Sequence, residues 1–243
     1  MSSYGGRSWP KRLPALSEEQ LRIKDDFMKY WHEVLPSRYG VIERFNHLYP
    51  VKNSRATGRV LEIGAGLGEH IAYEDLDRNE YFALELRPEM ARSISERFPA
   101  VRVLVGDCQS RLDFPDESFD RVVAVHVLEH LPDLPAAVKE AHRLLKPSGE
   151  FCVVIPCEGG LAYSLARRLS AQRIFEKRYG TSYDWFIRTE HINTPAEIAY
   201  ELRPYFRLVK HAYFPFRIPS VHLNLVIGMV LRPRKPNGSG QPR

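Results

Sequence analysis

Arg59-Val-Leu-Glu-Ile-Gly-Ala-Gly-Leu-Gly68 is the stretch whose reading decides the fold. Val60, Leu61 and Ile63 are strand formers, and glycines at 64, 66 and 68 follow at once. A buried strand running into a glycine-rich turn is how open α/β sheets bring backbone N–H groups against a nucleotide. The glycines serve a tight turn, close approach of a ligand and close helix–strand packing. A glycine cluster alone is as often an ordinary turn, so its meaning depends on what the rest of the chain supplies.

Downstream, strands and helices alternate. Strands are expected at 59–63, 81–85, 101–105, 119–125 and 151–155. Short or amphipathic helices fall between them near 68–74, 88–98 and 134–146. Pro88 suits a first helical turn, and Pro147-Ser148-Gly149 ends the last of these helices. Such alternation implies a parallel sheet with helices on both faces.

The strand ends carry polar groups where a nucleotide needs them. Glu85 closes the second strand, 21 residues beyond Gly64, where an acid can pair with both ribose hydroxyls. Gly106-Asp107 ends the third strand. There a carboxylate can accept from an exocyclic amine, and the Cys108 backbone N–H can serve a ring nitrogen. His126-Val-Leu-Glu-His130 ends the fourth. Ligands of open α/β sheets lie outside the carboxyl ends of the strands, so the coincidence of Glu62, Gly64, Glu85, Asp107 and His126 goes well beyond a lone glycine motif.

Upstream, residues 1–15 carry Gly, Pro and basic residues without periodicity and read as a loose arm. Ser17 and Gln20 form a capping-box start to a helix with Leu21, Phe27, Met28 and Trp31 at helical intervals, stopped by Pro36. A second short helix is expected over 41–49 before Pro50. Their aromatic stripe reads as packing first and as a lid over a ligand second.

Residues 157–205 break the rhythm. An amphipathic helix over 161–175 is expected to turn Leu161, Leu165, Leu169 and Ile174 inward and Arg167, Arg168 and Arg173 outward. Tyr179, Tyr183, Trp185 and Phe186 form an aromatic-rich loop, and Thr194-Pro195 starts another helix. Residues 206–213 and 223–231 read as an antiparallel strand pair at the sheet edge, and a tail from Pro233 as disordered. The expected organisation is an N-terminal arm and helical lid (1–54), a nucleotide-binding core (55–156), a substrate-recognition insertion (157–205), a strand pair completing the sheet (206–232) and the tail (233–243).

Composition narrows the class. With 44% hydrophobic and 27% charged residues, the chain reads as a soluble globular protein. A net charge of +5 allows anionic substrates or phospholipid surfaces. It does not imply nucleic acid, since the basic residues form a local cluster without a base-stacking motif. Three unpaired cysteines, no signal-peptide core and no apolar run of membrane-spanning length make the cytoplasm the expected location. No metal is expected. His126-x-x-Glu129-His130 fits an inverted zinc-peptidase pattern formally, but its histidines straddle a strand end and a loop.

The sequence resembles the class I S-adenosylmethionine-dependent methyltransferases, specifically the bacterial group with small-molecule, sugar and lipid substrates. Leu61-Glu-Ile-Gly-Ala-Gly-Leu-Gly68 matches that family's first motif, Glu85 its ribose acid and Gly106-Asp107 its adenine-contacting acid. Phe119 to Leu131 matches its fourth-strand motif, and Leu144 to Gly149 the turn before strand five. The resemblance covers about residues 55–156. It implies a Rossmann-like α/β fold with a seven-stranded, mostly parallel sheet, the last strand inserted antiparallel. It also implies S-adenosylmethionine as cofactor, S-adenosylhomocysteine as product, and substrate recognition by the helical, aromatic insertion. The cofactor contacts expected are Glu62, Gly64, Ala65, Gly66, Gly68, Glu85, Leu86, Asp107, Cys108 and His126.

Methyl transfer to an oxygen or nitrogen acceptor by in-line displacement depends mainly on positioning, with a base for a protic acceptor. His191, with Glu190 beside it, is the candidate base, unless His191 only caps the helix entered at Thr194. Tyr163, Arg167, Tyr183 and Trp185 are candidate substrate contacts in a pocket for a small-molecule, sugar or lipid acceptor, with peripheral membrane contact allowed. Oligomeric state is not legible. A nicotinamide dehydrogenase is the weaker reading, since its fingerprint needs Gly or Ala where Glu69 stands. A binding module that kept the cofactor fold without catalysis is the other alternative.

Overall fold

Val60, Leu61 and Ile63 are buried on both sides of their strand, so the apolar run has no solvent face. A computed structural model, which describes residues 8–38 and 40–234, shows why. The chain begins with α1 (Glu18–Arg38) and α2 (Gly40–Asn53), then β1 (Arg59–Ile63), β2 (Glu80–Glu85), α3 (Pro88–Arg97), β3 (Arg102–Val105), β4 (Phe119–Val125), α4 (Leu134–Leu144) and β5 (Leu145–Pro156). It continues with α5 (Leu161–Arg167), α6 (Arg173–Tyr179), α7 (Asp184–Glu190), α8 (Pro195–Leu202), β6 (Phe206–Phe214) and β7 (Val226–Pro233). The seven strands form one sheet in the order β3-β2-β1-β4-β5-β7-β6. The first five are mutually parallel, and β7 inserts antiparallel between β5 and β6. This is the Rossmann-like sheet the sequence predicts.

Each sheet face has its own core. Leu61, Ile63, Phe82, Leu84 and Val122 pack with Leu134, Val138 and Ile198 from α4 and α8. Val60, Tyr81, Ala83, Val123 and Val154 pack with Tyr49 of α2 and Ile94 of α3 on the other. The alternation of side chains along β1 and β2 sends successive residues to opposite layers. A third cluster lies apart from the sheet. Phe27 of α1 is surrounded by Phe175, Tyr183 and Phe186, with edge-on rings 5.0 Å away at Phe175 and 5.2 Å at Phe186. Phe27 of α1 and Tyr49 of α2 are therefore packing residues, while Leu21 of the same stripe is exposed.

Several boundaries differ from expectation. α1 runs through Pro36 to Arg38, and α2 contains Pro50 near its end. One lost backbone hydrogen bond in a last turn is tolerated when the helix face is packed. α4 stops at Leu144, and β5 starts at once because Leu145 pairs with Phe119. The segment near 68–74 is only a 3₁₀ turn over Ile71–Tyr73. Part of the N-terminal arm is tied down: the Lys11 N–H donates to Pro132 O, and its Nζ reaches Ile192 O and Glu197. Residues 1–7 of that arm, the tail from 235 and the Trp31 side chain lie outside what the structure describes.

The largest correction concerns residues 161–179. α5 and α6 are joined by a π-helical turn over Arg168–Gln172. Leu161, Leu165 and Leu169 point to solvent, at 73%, 59% and 67% exposure, where the periodicity predicts an inward stripe. The other side of the helix is filled by Ala171 and Phe175, which the aromatic cluster claims. A stronger apolar partner elsewhere on the helix decided its rotation.

Candidate functional site

The strand order reverses between β1 and β4, and the turn after β1 lies at that switch point. Gly64 and Ala65 donate their N–H groups to Leu84 O at 2.8 and 3.1 Å, which folds the turn over the end of β2. Gly64 has φ +66°, and a Cβ there would come within 2.6 Å of Val127 Cγ2. Gly66 has φ +59°, and within 4 Å an added Cβ would meet only Glu69 Oε2, at 3.2 Å. Gly64 is thus fixed by packing against the β4 loop, while Gly66 borders open space.

The Gly66 N–H donates to Glu85 Oε2 at 2.9 Å, and the Arg87 N–H donates to Glu85 Oε1 at 3.0 Å. Oε1 also accepts from Arg87 Nε at 3.4 Å, so it is Oε2 of this buried carboxylate that retains a free lone pair. Leu86, next in sequence, is 62% exposed and offers an apolar platform. Asp107 Oδ1 accepts from the backbone and side-chain N–H groups of Gln109. Gln109 in turn receives the Asp133 N–H at 2.6 Å, so the acid after β3 is braced from the start of α4. Cys108 is buried, and burial pushes its thiol up to about 12. Only its backbone is suited to a ligand.

Glu62 is placed differently from its neighbours. It is buried in the sheet and accepts from Tyr81 Oη at 3.0 Å. Burial pushes its carboxyl well above the ordinary range. It adjoins a buried network in which Arg121 pairs with Glu74, and Glu74 with His70. Its hydrogen-bond partner is Tyr81 on the neighbouring strand.

The loop after β4 forms a second polar corner. His126 adopts φ +54°, and its Nδ1 lies 3.0 Å from Glu129 Oε1. Glu129 is 1% exposed. Burial opposes its charge, but the hydrogen bond from His126 and the nearby imidazoles of His130 and His191 outweigh it, and its pKa falls to about 2. The Glu129 carbonyl accepts from the Ile192 and Asn193 N–H groups, while Asn193 Nδ2 donates to Leu128 O and Leu131 O. These bonds clamp the segment before α8 onto the β4 loop and bring His191 beside His130, ring centroids 5.1 Å apart.

His191 is oriented by Glu158, whose Oε2 lies 2.9 Å from His191 Nδ1. Glu190 does not orient it: that carboxylate pairs with Lys24 at 2.5 Å, and its backbone oxygen accepts from His130 Nδ1 at 2.7 Å. The cap of α8 is Thr194, with a reciprocal Glu197 bond, so His191 is not the cap. Tyr163 does border the corner, its ring 6.4 Å from that of His191. Arg167 is held by Glu158 at 2.6 Å. Tyr183 is buried in the aromatic cluster with Trp185 packed against it, and the charges of Arg167, Glu158 and Glu190 reach its hydroxyl. Glu129, Glu158 and Gln109 were missed as site residues. Glu129 and Glu158 stand beside named segments, but the pairing with His191 is made across 33 residues or more.

These features fit S-adenosylmethionine. The Gly66 surface admits a close ligand, Glu85 Oε2 offers an acceptor for a ribose, and Asp107 and the Cys108 backbone stand at the next strand end.

Comparison with known proteins agrees. Residues 61–153 match the family model described as a methyltransferase domain. A probable phthiotriol/phenolphthiotriol dimycocerosates methyltransferase of Mycobacterium ulcerans is 32% identical over 128 residues, 48% of this chain and 49% of that protein. A 2-methyl-6-phytyl-1,4-hydroquinone methyltransferase of Oryza sativa is 28% identical over 52% of this chain and 37% of its own length. The chain thus spans half or less of these relatives. Among solved structures, a 1,6-didemethyltoxoflavin-N1-methyltransferase of Burkholderia thailandensis, bound to its substrate and S-adenosylhomocysteine, has a TM-score of 0.56. It is 20% identical, and the match covers 93% of this chain and 94% of that one. A possible histamine N-methyltransferase of Thermotoga maritima has a TM-score of 0.59 at 20% identity, covering 87% and 98%. Both show the shared fold.

Proposed function

We propose that this chain, which belongs to the class I S-adenosylmethionine-dependent methyltransferase family, transfers a methyl group to a hydroxyl-bearing apolar acceptor. The observation that carries the donor half is the Gly66–Glu85 hydrogen bond at the switch point, with an open surface at Gly66. The sulfonium of the donor supplies an already activated methyl group. This chain's own residues then bind and align. Glu85 holds the ribose, Asp107 and the Cys108 N–H hold the base, and the turn at Gly64–Gly68 receives the amino-acid end. Ala65 supports the turn from the core, and Leu86 packs on the base.

On the acceptor side we assign His191, held by Glu158, to activate a protic acceptor, with Tyr163 beside it. His126 stands between the two halves. Alignment of acceptor and methyl carbon supplies much of the catalysis in such a displacement.

A lipid acceptor is favoured among the small-molecule, sugar and lipid classes. The exposed Leu161, Leu165 and Leu169 run beside exposed Arg168, Arg173 and Lys177, an apolar row with basic flanks suited to an anionic bilayer surface. Relatives named for a phytyl-hydroquinone and for dimycocerosates fit that class. The contact proposed is surface docking; no helix among the described residues is long and apolar enough to cross a membrane.

The test is transfer of labelled methyl from S-adenosylmethionine to hydroquinones, phenols and glycolipids in anionic vesicles. Label in the extracted lipid with equimolar S-adenosylhomocysteine supports the proposal. Donor binding without transfer to any acceptor turns the reading to a binding module. Absence of donor binding overturns it.

A further inference from the structure

We propose that Glu129, His130 and His191 form a divalent transition-metal site beside the methyl-donor turn. The argument starts from tautomers. A backbone carbonyl can only accept, so His130 Nδ1, 2.7 Å from Glu190 O, must carry a proton. His191 Nδ1, 2.9 Å from Glu158 Oε2, is likewise set to donate to a carboxylate that also pairs with Arg167 at 2.6 Å. In the neutral rings both Nε2 atoms then carry a free lone pair. This is the arrangement by which metal-binding histidines are held, each Nδ1–H on an oxygen and each Nε2 presented.

The third ligand is Glu129. Its Oε1 is engaged by His126, and its Oε2 is buried with no hydrogen-bond partner among the described residues. A carboxylate oxygen left without a partner in a protein interior is costly, and a bound cation would satisfy it. One possible ligand atom each from Glu129, His130 and His191 lie within 4.8 Å of one another, and His130 Nε2 is 3.9 Å from the Glu129 carboxylate at Oε1. Ligands about 2.0–2.2 Å from one ion stand roughly 3–4 Å apart, so modest side-chain shifts close the set. Two imidazoles and one carboxylate suit zinc, cobalt, manganese or iron rather than calcium.

The scaffold is rigid. The Glu129 carbonyl and the Asn193 side chain tie the two ligand-bearing segments together by four hydrogen bonds. The site is also next to the donor: Val127, two residues before Glu129, fills the space above Gly64. The sequence pattern His126-x-x-Glu129-His130 is thereby resolved. His126 braces the carboxylate, and the histidine that completes the set comes from residue 191.

The role of the ion deepens the function proposed above and rests on that reading. An acceptor hydroxyl bound there loses its proton to solvent at lowered pKa. Its oxygen then forms the new C–O bond as the C–S bond of the sulfonium breaks, leaving a neutral thioether. His191 serves in this as a ligand rather than as a free base.

The test uses tag-free, chelator-treated protein titrated with cobalt(II), whose visible absorption reports nitrogen and oxygen ligation. One equivalent is expected to bind, with affinity lowered by about tenfold or more in Glu129→Gln and in His191→Ala. The exposed His211→Ala is expected to match the wild type. His191 is partly exposed and lies in a loop, so His191→Ala keeps the test valid if Glu129→Gln fails to fold. Absence of saturable cobalt binding, or equal binding by wild type and His191→Ala, overturns the site whatever the methyl-transfer assay shows. Cobalt binding without methyl transfer leaves the site standing and removes only its catalytic role.

Discussion

Glu85 accepts the backbone N–H of Gly66 at 2.9 Å, so the end of β2 and the turn after β1 are one hydrogen-bonded unit. Glu85→Ala is expected to weaken S-adenosylmethionine binding by roughly 1.5–3 kcal/mol, about ten- to hundredfold, the scale of hydrogen bonds to a charged group. Calorimetric titration checks this. A loss within experimental error would place Glu85 outside the donor site.

The two glycines flanking Ala65 separate stability from binding. Both have positive φ, so a side chain at either is strained by about 1–2 kcal/mol. At Gly64 the overlap with Val127 adds roughly 1–3 kcal/mol of overpacking. Gly64→Ala is therefore expected to lower unfolding free energy in urea by several kcal/mol. Gly66→Val is expected to leave a folded protein that has lost donor binding. Equal destabilisation by both substitutions would contradict this division of labour.

Acid is expected to unfold the protein through its braced carboxylates. Burial acts to raise the Glu150 carboxyl, but hydrogen bonds from Arg232, Ser54 and the Arg55 N–H outweigh it and hold it below the ordinary range. Glu140 is held low in the same way by Arg143 and the Leu112 N–H. In the unfolded chain such groups titrate near about pH 4.3. Folded, they hold fewer protons in that range, so their contribution is complete above it and is lost as pH falls through the lower folded values. Glu150→Gln is expected to flatten the acid limb of stability against pH, measured by urea unfolding from pH 6 to pH 3. An unchanged slope would remove Glu150 from this role.

The exposed leucines give a prediction in which stability and binding again part. Leu165→Ser removes no core contact and is expected to change unfolding free energy by no more than about 0.5 kcal/mol. It is expected to reduce sedimentation with anionic vesicles, and adding Arg168→Ser to reduce it further. Vesicle binding that survives both changes would move the membrane contact elsewhere.

How far the site can be read in sequence depends on how local each part is. Gly64, Glu85 and Asp107 each end a strand whose apolar run is continuous, and parallel strands put such ends at one edge. Their grouping follows from periodicity alone. Helix rotation in residues 161–179 is not local: three leucines at helical spacing predict an inward stripe, yet Phe175 meets Phe27 from α1 and turns the leucines out.

By itself the sequence determined the open α/β sheet and the glycine turn after its first strand, because strand periodicity and glycine turns act between neighbours in the chain, while the antiparallel last strand was implied by the family resemblance. Only the tertiary structure decided which carboxylate orients His191, which hydroxyl Glu62 accepts from, and that Glu129, His130 and His191 meet. Those outcomes hang on hydrogen bonds between distant segments, such as Asn193 to Leu128 and His191 to Glu158, and no spacing along the chain encodes them.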